Sequence, residues 1–233
     1  RTTPAPVDVL NLDYENNFLM ISQLGTRKNF QNSIKWWVEE FFDQEVGLLI
    51  KTNVKNNSQM DWIECQNFMN HALANYKDRK CKIYVLHGDL SSEQMIGLYT
   101  NPKIKALINI AHGEGFGLPM FEAAREGLPI ITVGWSGQMD FLRHNNKDYF
   151  QSVNYTLQPV QQAAHWEGVI QKDSMWAYAD QGSYKMTLRK TLNNLDQVKQ
   201  TAEELKLIIE EKFNHERLYK LFVENICDES EFD

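Results

Sequence analysis

Apolar and polar positions along this chain follow two rhythms. Short, nearly unbroken apolar runs recur at Phe18–Ser22, Val46–Lys51, Lys82–His87, Ala106–Ile110 and Ile130–Val133. They are too short for helices and read as strands buried on both faces. Between them, apolar residues return every three or four positions. That spacing predicts helices at Ser33–Asp43, Trp62–Tyr76, Pro119–Glu126 and Gln138–Arg143, the first carrying Trp36, Trp37, Phe41 and Phe42 as core residues. Ser91-Ser92-Glu93-Gln94 has the form of a capping box and predicts a further short helix. Tyr149–Asn154 reads as an edge strand, and the pattern then weakens as far as Trp176. From Ser183 to Ile226 the chain reads as helix in two or three segments, broken near Leu195-Asp196 and Asn214-His215. Strands alternating with helices predict an α/β fold with a doubly wound parallel sheet and additional C-terminal helices. Such sheets bind ligands beyond the carboxyl ends of their strands. The turns after Ser22, His87 and Ile110 therefore share one edge.

The turn after Ile110 carries the densest chemistry. In Ala111-His112-Gly113-Glu114-Gly115-Phe116-Gly117-Leu118-Pro119-Met120-Phe121-Glu122, two carboxylates flank a glycine-rich turn that runs into a helix. Glycines let backbone N–H groups approach a ligand closely, and proline suits the first position of a helix. The unpaired N–H groups of that first turn, with the helix dipole behind them, favour an anion such as phosphate. Glu122, one turn in, is placed to accept hydrogen bonds from the two hydroxyls of a ribose. Phosphate with ribose means a nucleotide. A capped helix start needs no ligand, however, and a glutamate in a first turn is stabilised by the dipole alone. The G-x-G-x-G spacing of Gly113, Gly115 and Gly117 is not the dinucleotide fingerprint.

Composition narrows the alternatives. The chain has 233 residues, 42% hydrophobic and 24% charged, enough for one large domain or two small ones with a real core. A net charge of −7 gives no broad basic footprint, so nucleic acid is not an expected partner. Cys65, Cys81 and Cys227 are widely spaced, with no metal-ligand pattern, and read as free thiols. His112 has no second ligand at metal spacing and reads as structural. No apolar run approaches a membrane span and no signal peptide is visible, which suggests a cytoplasmic protein.

The string Glu114-Gly115-Phe116-Gly117-Leu118-Pro119-x-x-Glu122-Ala123 resembles the signature of retaining glycosyltransferases of the GT-B fold, family 4 type (glycosyl transferases group 1). Further segments extend the likeness in order. Phe18 to Asn29 resembles the segment that brings basic residues to the donor diphosphate. Val85 to Met95, with His87-Gly88-Asp89-Leu90, resembles the one that receives the base. Glu126-Gly127-Leu128-Pro129-Ile130-Ile131, Gly134 to Phe141 and Trp176-Ala177 resemble later elements. The likeness runs from about Val7 to Leu195. It departs at one position, where Gln23 stands in place of the usual arginine while Lys28 is kept; Arg27 is the neighbouring source of charge.

The resemblance implies the Rossmann-like C-terminal half of a GT-B fold. Residues 1–17, with the prolines Pro4 and Pro6, would form the linker and start of the domain, and 18–195 the donor-binding domain. Residues 196–227 would be helices packing on it or on a missing N-terminal, acceptor-binding domain, and 228–233 an acidic tail. It implies transfer of a sugar from a nucleotide-diphosphate sugar to an acceptor hydroxyl with retention, without metal or other cofactor, by an enzyme of which this chain supplies one half. Catalytic roles fall to Glu114, beside the sugar, and Lys28, on the diphosphate. Donor contacts fall to Lys28, Arg27, Gly88, Leu90, Glu114, Gly115, Phe116, Gly117, Leu118 and Glu122, with Asp89 bordering the base and Ile96 and Tyr99 as candidate walls. The acceptor, a carbohydrate, lipid or protein, stays open, as does peripheral membrane attachment through the missing domain. Two other readings stand beside it: a non-catalytic nucleotide-sugar-binding module and a GT-B-like 2-epimerase.

Overall fold

The computed structural model describes residues 3–7 and 10–226. Arg1, Thr2, Asp8 and Val9 of the linker, Cys227 and the acidic tail 228–233 lie outside the described residues. Strands β1 (Asn16–Ile21), β2 (Val46–Lys51), β3 (Lys82–Leu86), β4 (Ile104–Asn109) and β5 (Ile130–Val133) alternate with helices α1 (Phe30–Phe41), α2 (Gln59–Ala72), α3 (Ser92–Tyr99), α4 (Leu118–Arg125) and the short α5 (Met139–Leu142). A two-residue ribbon, β6 (Arg143–His144) with β7 (Lys147–Asp148), leads to β8 (Gln151–Val153). The hairpin β9 (Tyr155–Pro159) and β10 (Met175–Ala179) follows, then α6 (Gln181–Asn193), α7 (Leu195–Lys212) and α8 (His215–Ile226).

The main sheet has six parallel strands in the order β3-β2-β1-β4-β5-β8. The chain works outward from β1 to β3, then returns to lay β4 on the other side of β1. Register explains the apolar runs. Leu49, Leu19, Leu107 and Ile130 stand side by side on one face, covered by α3, α4 and α7 through Leu98, Met120, Ala123, Leu205 and Ile209. Leu48, Phe18 and Ala106 stand on the other, covered by α1 and α6 through Ile34, Trp37, Phe41, Tyr184 and Leu188. Each strand must be apolar on both sides, so it does not alternate.

Several boundaries differ from the sequence expectation. Helix α2 starts at Gln59 rather than Trp62 because the Ser58 hydroxyl caps it, accepting from the Asp61 N–H at 3.2 Å. It also ends at Ala72, before Tyr76. Of the four aromatics expected in the core, Trp37 and Phe41 are buried, joined by Phe30 at the start of α1, while Trp36 and Phe42 pack on the core from its margin. Helix α4 begins at Leu118, so Pro119 takes its second position, not its first. The capping box at Ser91–Gln94 is present with both of its hydrogen bonds. The hairpin β9–β10 occupies the stretch whose pattern was weak. No helix among the described residues is long and apolar enough to cross a membrane.

Candidate functional site

The order of the sheet reverses between β1 and β4, and the crevice beyond the carboxyl ends of such a strand pair is where doubly wound sheets bind ligands. The loops leaving these two strands meet there. After β1, a 3-10 turn at Thr26–Lys28 aims Arg27 and Lys28 across the crevice. After β4 comes Glu114, whose side chain is 7% exposed. The Lys28 ammonium donates to both Glu114 oxygens, at 2.6 and 2.8 Å. The Arg27 guanidinium donates to Oε2 at 3.1 Å and also to the Gly113 carbonyl. Asn109, the last residue of β4, donates to Oε1 at 3.1 Å. Burial alone would raise the Glu114 pKa; hydrogen bonds and charge from Lys28, then Asn109 and Arg27, outweigh it and hold it below its ordinary value.

Backbone contacts lace the two loops together. The His112 N–H donates to the Arg27 carbonyl at 2.8 Å, and the Asn29 side chain donates to the Ile110 carbonyl at 3.2 Å. Behind Glu114, its N–H donates to the Ser136 hydroxyl at 3.2 Å, while that hydroxyl and the Gly137 N–H donate to its carbonyl at 2.8 and 3.0 Å. A Cβ on Gly137 would stand 1.7 Å from the Gly115 carbonyl oxygen, so only glycine lets these loops approach. Gly117 caps α4 with φ of 87°, a left-handed conformation that suits glycine. With two cations against one carboxylate, and the amino end of α4 adjacent, the crevice keeps an excess of positive charge.

A cleft of about 830 Å³ opens along α4, lined by Leu90 and residues of α3, α4 and the α7–α8 junction, among them Ile96, Tyr99, Phe116, Glu122 and Phe213. Arg27, Lys28 and Glu114 do not line it, and Phe116, two residues after Glu114, is the link between the two. Glu122 projects from α4, and the Tyr99 hydroxyl donates to its Oε2 at 2.7 Å. Phe116 packs its ring against Phe121, Phe141 and Phe213, at the wall of the cleft. Gly88, with φ of 100°, turns the chain after β3, and its carbonyl accepts from Lys51 at 3.2 Å. Asp89 accepts from Asn57 in the neighbouring loop.

That loop is held by a group the sequence did not single out. Asp61, buried on α2, accepts from the N–H groups of Val54, Lys55 and Asn56 at 3.0, 2.7 and 2.8 Å, and pairs with His87 at 2.8 Å. Asp61, Cys65 and His87 bring ligand-type atoms within 4.8 Å of one another. The donors round Asp61 suit an anion, and burial with the Asp61 charge pushes the Cys65 thiol up to about 11, so it stays protonated. The trio fastens the β3–α3 turn to the loop after β2.

Thus Arg27, Lys28 and Glu114 converge at the switch point, while Leu90, Phe116 and Glu122 line the adjoining cleft. Gln23 is exposed, and the guanidinium that reaches Glu114 is that of Arg27. His112 is buried, stacks on Trp176 at 5.2 Å and bonds through Nδ1 to the Ala177 carbonyl at 2.7 Å. A carbonyl only accepts, so Nδ1 carries the proton, and the ring ties the hairpin to the Glu114 loop. Sequence reasoning missed Asn109, Ser136, Gly137 and Asp61 as members of this edge. A polar residue inside the otherwise apolar run Ala106–Ile110 was the one available signal, for Asn109.

No family model matches the sequence, and no curated protein does. Solved structures do match. The C-terminal domain of a glycosyl transferase group 1 family protein (LpcC) from Francisella tularensis aligns over 92% of this chain and 96% of that domain, with 13% identity and a TM-score of 0.56. Sucrose-phosphate synthase from Thermosynechococcus elongatus aligns over 94% of this chain and 49% of its own, with 14% identity and a TM-score of 0.60. The pneumococcal O-GlcNAc transferase GtfA, in complex with UDP and GlcNAc, aligns over 97% of this chain and 38% of its own, with 17% identity and a TM-score of 0.53. This chain therefore spans less than half the length of the two larger proteins. Its fold is that of the C-terminal, Rossmann-like half of GT-B glycosyltransferases.

Proposed function

We propose that this chain is the donor-binding half of a retaining, family 4-type glycosyltransferase, which moves a sugar from a nucleotide-diphosphate sugar to an acceptor hydroxyl. One observation carries the reading: Arg27 and Lys28 converge on Glu114 at the switch point of the sheet, on the loop that runs into α4, the helix from which Glu122 lines a cleft. The diphosphate would lie against Lys28, Arg27 and the amino end of α4, with the backbone of Gly115 to Leu118 alongside. The ribose would meet Glu122, and the base would border Gly88, Asp89 and Leu90. As the bond from the anomeric carbon to the β-phosphate oxygen stretches, negative charge builds on that phosphate. Lys28, Arg27 and the helix dipole are fixed where it develops, and removing one such donor costs roughly 3–4 kcal/mol in activation free energy. These groups do in this reading what a divalent ion does elsewhere, so the proposal uses no cofactor. Glu114, ionised and buried, would face the reacting sugar. The acceptor hydroxyl would approach from the donor's own face, carried by an acceptor-binding domain outside this chain.

Neighbours that carry UDP or transfer sugars support the reading without identifying the sugar or base here. The test is thermal unfolding of the chain with nucleoside diphosphates and their sugars, with no added metal. A ligand at 100 times its dissociation constant adds about 2.7 kcal/mol, several degrees for a domain of this size. The expected result is a shift with one base, lost in Lys28→Ala and in Glu122→Ala. No shift with uridine, guanosine or adenosine diphosphates or their sugars overturns the reading for this chain.

A further inference from the structure

We infer that Tyr99 is a positioning residue that fixes the Glu122 carboxylate, so that the cleft tells ribose from deoxyribose. The inference rests on the donor site proposed above. Tyr99 closes α3 and is 3% exposed, with its ring in the core cluster that also holds Met120, Ala123 and Ala124 of α4. Its hydroxyl is therefore held by packing at a set point and donates to Glu122 Oε2 at 2.7 Å. Burial, then the charge and hydrogen bond of Glu122, push the phenol pKa well above its ordinary value, so the hydroxyl remains a donor at any working pH.

Glu122 by contrast is exposed on the rim of the cleft, and no other side chain among the described residues bonds its carboxylate. An exposed glutamate samples many rotamers, and ordering it on ligand binding costs up to about 2 kcal/mol. Tyr99 removes that freedom before the ligand arrives. It occupies one side of Oε2 and leaves the other lone pairs of a planar carboxylate, Oε1 above all, for a ligand in the cleft that Glu122 lines. Two coplanar acceptors match the two hydroxyls of a vicinal diol. A ligand lacking one hydroxyl leaves a charged oxygen unpaired, and a site built to bond a hydroxyl rejects such analogues strongly. A buried tyrosine also needs a partner simply to satisfy its hydroxyl. That structural need would make Tyr99→Phe less stable without altering how the site ranks ligands.

The experiment is titration calorimetry of the 233-residue chain with uridine, guanosine and adenosine diphosphates and their 2′-deoxy and 3′-deoxy counterparts. Wild type is expected to prefer one ribonucleoside diphosphate over its deoxy forms by about tenfold or more, the scale of one hydrogen bond to a charged group. In Tyr99→Phe that ratio should fall to within about threefold, with affinity for the deoxy forms unchanged, and adding Glu122→Gln should lower it no further. The ratio is taken within one protein, so a change in the folded fraction does not alter it. If Tyr99→Phe keeps the preference while Glu122→Gln loses it, the positioning role is overturned and the donor site stands. If wild type binds a diphosphate with no preference for ribose, the roles of Glu122 and Tyr99 both fall. If none of the diphosphates binds, the proposed function falls and the inference with it.

Discussion

Glu114 is a carboxylate that burial would protonate and its neighbours keep ionised. Three donors, two from the turn after β1 and one from the end of β4, hold it, so its folded pKa lies below the 4.5 of the free side chain. The stability this contributes is fully present above about pH 4.5 and is lost as pH falls through the folded value. Glu114→Gln is expected to lower stability at pH 7 by about 1–3 kcal/mol, with the gap from wild type closing below pH 4.5. Urea unfolding at pH 7 and pH 4 measures both. A gap that stays constant would mean that the ion pairs with Lys28 and Arg27 are not what holds the loop. Glu114 and Glu122 could be singled out in the sequence because they flank a glycine-rich turn at a helix start, and Lys28 through the resemblance alone. Asn109 and Ser136 were not, since their part depends on which strands lie side by side. Tyr99 could be named only as a candidate wall, because its bond to Glu122 joins residues 23 positions apart.

Among the strands, those buried on both faces could be read and the exposed β9 could not. Strands β1, β2, β4 and β5 announce themselves because both faces are buried, so nearly every position is selected for apolarity. In β9 only Tyr155 is even half-buried, and the other four residues are exposed, which leaves no period to detect. Its partner β10 is fixed instead by His112, through the Ala177 bonds and the Trp176 stack. The glycines separate fold from site in the same way. Gly127 ends α4 at φ of 75°, and an added Cβ would meet the tip of Glu203, a flexible side chain. Gly127→Ala should therefore cost about 1–2 kcal/mol of stability, the penalty of the left-handed backbone, and spare ligand binding. Gly137→Ala, whose Cβ meets the Gly115 carbonyl, must displace the Glu114 loop. It is expected to weaken nucleotide binding more than tenfold for a similar loss of stability. Equal effects of the two changes on binding would show that the close approach at Gly137 does not shape the site.

The whole molecule is organised by the point where the sheet reverses. Because the chain travels out from β1 to β3 and returns at β4, two loops distant in sequence are forced together, and the only charged cluster they can bury there is a paired one. Both faces of the sheet are closed by apolar helices, and α7 belongs to that closure through Leu205 and Ile209. Helix α8 does not. None of its residues is buried, and Tyr219, Phe222 and Ile226 are 71%, 62% and 64% exposed. The apolar and polar spacing of α8 reads as that of a helix with one face to bury, yet its contribution to the fold follows the area it buries, at about 25 cal/mol per Å². A chain ending at Asn214 should then unfold within about 1 kcal/mol of the full chain and self-associate less, since a contiguous exposed apolar face promotes association. His215 and Leu218 line the outer wall of the cleft, whereas Tyr99 and Glu122 line it from α3 and α4. Nucleotide binding should accordingly survive the truncation with a modest loss, read by calorimetry on the shortened chain. A stability loss above about 3 kcal/mol would mean that α8 closes the core after all. Loss of binding with the fold intact would move the seat of the base from α3 and α4 to the α7–α8 junction.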